Sequence, residues 1–194
     1  MRQGQGKIPS IWLMTDERVS EADLLRAIAR LPHGSAVVLR HYSLAEDARR
    51  ALFAQVRRAA RRRHARVLLA GDARLARAWG ADGHHGRAPG GNGLHSAPVH
   101  DHRELVRAWR AGADVVLISP LFATRSHPGA RPLGAFRFAA LARQARVPVI
   151  ALGGVRPRHA ALVRRLGASG YAAIDGLAAH KQAPSRRSKP PQPN

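Results

Sequence analysis

The run His100-Asp101-His102 offers proton-transfer chemistry. An imidazole titrates near neutral pH, so His100 is the candidate general acid–base residue. Strand alternation sets His100 and His102 on one side, the start of a metal pair. No third ligand of suitable spacing accompanies them, so a metal there is not the expected reading. A second pair, His84-His85, has one member facing inward and one facing the surrounding helices.

Oxyanion chemistry gathers in two places. Residues 118–129 carry the hydroxyls of Ser119, Thr124 and Ser126 and the cations Arg125 and His127. That combination suits a phosphate, and the length of the loop favours function over an idle surface segment. The second place is Ala151-Leu152-Gly153-Gly154. Its glycines let backbone N–H groups approach an anion closely, although a tight turn needs glycine equally.

Elements must bring these groups together. Apolar, β-branched runs predict strands over 11–16, 36–41, 66–71, 96–100, 115–120, 147–153 and 171–175, with a weaker one over 83–86. Helical periodicity predicts helices over 21–31, 45–63, 103–111, 136–145 and 157–166. Ser20 and Asp101 read as N-caps, and Gly112 and Gly167 follow helix ends. Strand–helix alternation without hairpin signals means a parallel sheet, and eight strands predict an α/β fold, the (β/α)8 TIM barrel. It is a compact example, because a Gly/Pro loop over 87–94 stands where the helix after strand four belongs. An open doubly wound sheet is the runner-up, but no G-x-G-x-x-G follows the first strand.

A barrel places its chemistry at the C-terminal ends of its strands. That rule selects Thr15 and Asp16, Arg40 to Tyr42, Gly71 and Asp72, His84 and His85, His100, Ser119 to His127, Gly153 and Gly154, and Asp175 and Gly176. The expected organisation is a flexible stretch over 1–8, one barrel over 9–180 and a disordered basic tail over 181–194.

The chain has 194 residues, 33 Lys+Arg against 12 Asp+Glu, a formal charge of +21 and no cysteine. Without cysteine there is no disulfide, Cys-based zinc site or thiol nucleophile. No apolar run has membrane-spanning length and no signal-peptide core is present, so a cytoplasmic, non-membrane protein is expected. All but three of the basic residues (Lys7, Lys181, Lys189) are arginine, spread over nearly every helix among many alanines. This reads as compositional bias. With aromatics at 5% and no nucleic-acid motif, nucleic acid is not the expected partner, and an Arg-rich nucleic-acid binder is the remote alternative.

Five segments in order, residues 12–16 (Trp-Leu-Met-Thr-Asp), 81–86 (Ala-Asp-Gly-His-His-Gly), 111–115 (Ala-Gly-Ala-Asp-Val), 119–124 (Ser-Pro-Leu-Phe-Ala-Thr) and 148–154 (Pro-Val-Ile-Ala-Leu-Gly-Gly), resemble the thiamine phosphate synthase/TenI superfamily. The resemblance runs from about Ile11 to Leu177 and implies a (β/α)8 barrel. It implies one of two activities. A synthase couples hydroxymethylpyrimidine diphosphate to thiazole phosphate, with Mg2+ on the diphosphate. A TenI-like tautomerase shifts a double bond in a thiazole carboxylate phosphate, with a strand-five histidine as acid–base.

Both imply small-molecule phosphate partners, and a homodimer is left open. Mapped residue by residue, the synthase pattern Gln-x-Arg-x-Lys keeps only Arg40. Of the metal carboxylates Asp72 alone is kept, and near Pro89 there is no acid. The loop-six lysine becomes His127. The phosphate side is fuller: Arg40, Ser119, Thr124, Arg125, Ser126, His127, Gly153, Gly154 and Gly176 are its candidate contacts, with His100 as proton shuttle. Asp175, where the family often has serine, faces that site with the wrong charge or caps a short helix. A divergent barrel that binds phosphate without turnover is the third alternative.

Overall fold

The computed structural model describes residues 7–90, 93–124 and 131–174. Eight short strands form a closed parallel barrel in sequence order. They are β1 (Ile11–Met14), β2 (Ala36–Leu39), β3 (Arg66–Ala70), β4 (Gly83–His85), β5 (Leu94–Val99), β6 (Val115–Ile118), β7 (Val149–Ala151) and β8 (Gly170–Ala173). Trp12 pairs with Ala36 on one side and Ala172 on the other, which closes the ring.

Alternation along each strand divides the core. Trp12, Met14, Val38, Leu68, Leu94, Leu117 and Ile150 fill the interior, all of them buried. The odd-facing residues, such as Leu13, Val37, Val67, Val116 and Ile118, meet the outer helices in two further clusters. Each such side chain contributes about 1.5–3 kcal/mol on leaving water, so the ring closes by apolar layering. The same alternation aims Arg40, His85, Ser96, His100 and Ser119 toward the interior at the C-terminal mouth.

The helices are α1 (Glu21–Ala29), α2 (Glu46–Arg61), α3 (Ala73–Ala78), α4 (His102–Arg110), α5 (Gly134–Gln144) and α6 (Ala160–Arg165), the last led by a 3-10 turn over Pro157–His159. In α1, Leu24, Ala27 and Ile28 fall on one face and are buried. Ser20 Oγ accepts from the Asp23 N–H at 3.1 Å, and Asp101 Oδ1 accepts from the Glu104 N–H at 2.7 Å. Such caps each stabilise a helix by about 1 kcal/mol. Gly112 and Gly167 take left-handed φ of 73° and 93° just after their helices. None of the helices among the described residues is long and apolar enough to cross a membrane.

Three expectations change. α3 was not predicted: its Ala-Arg-Leu-Ala-Arg-Ala is too short for a helical period, and its signal was Asp72, read as a metal ligand. Strand five starts at Leu94 rather than Ser96, and most strands end one or two residues early. The residues beyond the ladder bend into the mouth. The region after strand eight, with the weak last helix, and the ends of the chain lie outside the described residues.

No helix stands over 86–90, as expected. What replaces it is aromatic. His84 points out from β4 and stacks on His95 of β5, ring centroids 4.2 Å apart and planes within 20°. Both are buried, at 4% and 1% exposure. A Cβ on Gly90 would lie 2.0 Å from His84 Cε1, so only glycine lets the loop close over the ring. His95 Nε2 donates to the Gly86 carbonyl at 3.0 Å.

Candidate functional site

The mouth is ordered first around Thr15 and Arg40. The Arg40 N–H donates to Thr15 Oγ1 at 3.0 Å, and the same hydroxyl shares a hydrogen bond with His41 Nδ1, 2.9 Å away. Arg40 Nε donates to the Thr15 carbonyl at 2.7 Å, and its Nη2 reaches Asp16 Oδ2 at 3.1 Å. Asp16 is also gripped by Arg18, at 2.7 and 2.9 Å. The Arg18 hydrogen bonds, helped by the charge of Arg40, hold the Asp16 carboxyl at about 2. His41 sits at a left-handed φ of 31°, and burial lowers its pKa.

Two groups here escaped the sequence. Arg49, on the first turn of α2, reaches the end of β3 and donates from Nη2 to the Ala70 carbonyl at 2.7 Å. Its guanidinium lies 5.3 Å from the Tyr42 ring centroid, and its Nε is buried without a partner among the described residues. Burial lowers its pKa. A helical arginine ten residues after the strand carries no motif, so only the crossover geometry brings it back to the rim.

At the opposite wall, His100 Nδ1 lies 2.7 Å from the Ser119 carbonyl. A carbonyl oxygen only accepts, so Nδ1 carries the proton and Nε2 is left as the basic nitrogen. The His100 N–H donates to Glu104 Oε2 at 2.8 Å, and Arg87 Nη2 holds Glu104 Oε1 at 2.9 Å. The ring is thus held at Nδ1 and the backbone at its amide, while the residue stays exposed.

Deeper in, His85 is aligned with Ser96 across the β4–β5 pair, and its Nδ1 is 2.9 Å from Ser96 Oγ. Burial, with Arg40 adding to it, pushes the His85 imidazole down to about 3, so it is neutral at physiological pH. It works as a fixed hydrogen-bonding group, whereas His84 faces outward and plays no part in the mouth.

The third cluster joins the loops after β6, β7 and β8. The Leu121 N–H donates to the Leu152 carbonyl at 2.8 Å and the Phe122 N–H to the Gly153 carbonyl at 3.0 Å. Gly153 and Gly154 take φ of 92° and 64°. A Cβ on either would come within 2.5 Å of Pro120 Cα or the Ala123 carbonyl oxygen, so both left-handed geometry and close packing demand glycine. A cavity of about 120 Å³ opens beside them, lined by Thr124, Leu152, Gly153, Gly154, Arg156 and Ile174. Backbone amides, a hydroxyl and a guanidinium around such a hollow suit an oxyanion. Arg156 was missed because it follows the glycines as one arginine among many. Arg125, Ser126, His127, Asp175 and Gly176 lie outside the described residues.

Among the described residues the carboxylates do not form a magnesium cradle. Asp72 Oδ1 accepts from the Arg74 N–H at 2.6 Å and caps α3. Asp16 is committed to two arginines, and Glu17 accepts from the Ser43 N–H and hydroxyl. Among the described residues no three histidines or acids converge on a point that could hold a metal ion. Magnesium wants about six oxygens in near-octahedral array, and this rim supplies guanidinium instead.

Residues 96–177 match the family model for thiamine monophosphate synthase. The thiamine-phosphate synthase of Chromobacterium violaceum is 30% identical over 188 residues, covering 88% of this chain and 89% of that protein. The Chloroflexus aurantiacus thiamine-phosphate synthase is 36% identical over 90 residues, 46% of this chain. That alignment spans only 42% of the Chloroflexus protein, and one with the Aquifex aeolicus relative spans 41%. The solved thiamine phosphate pyrophosphorylase from Pyrococcus furiosus superposes with a TM-score of 0.74 over 88% of each chain, at 21% identity, and shares the fold. With 30% identity to one relative over nearly the full length of both chains and the barrel in place, the chain belongs to the thiamine phosphate synthase/TenI family.

Proposed function

We propose that the chain is a thiamine-phosphate-synthase-like transferase, joining hydroxymethylpyrimidine diphosphate to a thiazole phosphate. The thiazole nitrogen forms a bond to the pyrimidine methylene carbon while that carbon's bond to the diphosphate oxygen breaks. The products are thiamine phosphate and diphosphate. The observation that carries the reading is the hollow between Thr124 and Gly153-Gly154, which gives a phosphate ester a seat at the mouth. Full-length similarity to a protein named thiamine-phosphate synthase supports the same reading. Arg125, Ser126, His127 and Gly176 belong to this proposed seat by their positions in the sequence.

A second reading rests on His100. With Nδ1 tied to the Ser119 carbonyl, its Nε2 is set up to take a proton from carbon and return it elsewhere, as a thiazole tautomerase requires. The test is a coupled assay with both substrates, Mg2+ present in one arm and chelator in the other, reading thiamine phosphate as its oxidised fluorescent product. Product in at least one arm is the expected result. No product in either, with thiazole phosphate still raising the melting temperature, would sink the coupling and leave tautomerisation or binding alone.

A further inference from the structure

The acids and cations at the mouth are unevenly matched around β1 to β3. Asp72 is engaged as a helix cap, and both Asp16 oxygens are held by arginines. The cations are less committed. Arg40 uses Nε and Nη2 within the protein, and its Nη1 is engaged by no described residue. Arg49 has no carboxylate within ion-pair distance among the described residues; it meets the Ala70 carbonyl and the rings of Tyr42 and Trp79. Arg40 follows β2 and Arg49 donates to the Ala70 carbonyl at the end of the neighbouring β3, so both stand at the same end of the barrel.

A half-buried guanidinium without a paired carboxylate is costly, and arginine does not escape by losing its proton. An anion arriving from outside offsets that cost. Guanidinium also matches phosphate oxygens in a fixed fork, a task that a bridging cation otherwise performs.

Resting on the coupling reading above, we propose that the diphosphate end of the second substrate is received by Arg40 and Arg49 without a bridging divalent cation. The two guanidiniums supply the positive charge that a carboxylate-held metal would otherwise bring. Nothing is transferred to either arginine; they neutralise charge on the departing diphosphate.

Calorimetric titration of the full-length protein with inorganic diphosphate tests this, once in chelator and once with excess Mg2+. Binding in chelator is expected, with Mg2+ changing the affinity less than about threefold. Arg40→Gln should weaken it at least tenfold and Arg49→Gln severalfold, with Arg49→Lys recovering part of the loss. Melting curves report whether each variant is folded, and Arg49→Gln, at a half-exposed site, keeps the test alive if Arg40→Gln fails. Binding only with Mg2+, no binding in either condition, or undiminished affinity in both variants overturns the proposal. Thiamine phosphate made only with Mg2+ would leave the coupling reading standing and remove this one. Metal-free diphosphate binding without product would do the reverse.

Discussion

One ring nitrogen decides how His100 is used. Because Nδ1 is fixed on a carbonyl, Nε2 is held as a base and needs no reorientation when a substrate arrives. His100→Ala should lower tautomerisation by about 10²–10⁴-fold, the range of a positioned acid–base group. Thiazole phosphate affinity should stay within about twofold, since the proposed phosphate seat is built from other strands. Initial rates of tautomerisation, beside a thermal shift for binding, check both halves; an unchanged rate would remove His100 from the mechanism. The sequence could nominate His100, as a titratable residue at a strand end. It could not nominate Arg49 or Arg156, because arginine is so common here that identity alone carries no information.

Among the elements, β4 holds two histidines whose ionisation the fold resists. Burial lowers His84, and His85 stands at about 3. An unfolded histidine titrates near 6.5. The folded form therefore favours the neutral rings, and their contribution is complete above pH 6.5. It is lost as the pH falls below that value, by up to about 1.4 kcal/mol per group per pH unit. Asp16 adds its loss only lower, from the ordinary 3.8 toward about 2. Urea unfolding should therefore show stability falling between pH 6.5 and 5, with a shallower slope in His85→Gln. An identical slope in that variant would mean that His85 is not the group responsible. The strands, the Ser20 and Asp101 caps and the missing fourth helix were all legible, since apolar period, cap residues and a Gly/Pro run are local signals. The six-residue α3 gave too little period, and its capping Asp72 has a residue type that serves a metal equally well. The burial of His95 beneath the loop was invisible for another reason: it depends on which strand lies beside which.

At the scale of the whole molecule the charge of +21 matters more than any one pair. Like charges spread over the helices repel in the compact state, and salt screens them over about 8–10 Å at physiological strength. The melting temperature should therefore rise as KCl goes from about 20 to about 300 mM, a range over which the screening length shrinks severalfold. Association of the phosphate substrates should slow over the same range, because the field that draws anions in is weakened. Stopped-flow binding and melting curves measured side by side would check the opposite signs. A melting temperature that fell with salt would mean that the exposed ion pairs outweigh the repulsion.

Eight residues separate His85 from Leu94, where parallel neighbours are ordinarily joined by a crossover of about a dozen or more. The connection is therefore near the shortest that can return the chain to the start of the next strand. It leaves length to gain and none to give up. Lengthening it, even by a whole helix, costs only slowly growing loop entropy, provided the addition leaves Gly90 over the imidazole pair. Shortening it would pull β5 out of register and break the ring at that seam. The stacked imidazoles thus mark the point at which this barrel can be extended by insertion and cannot be shortened.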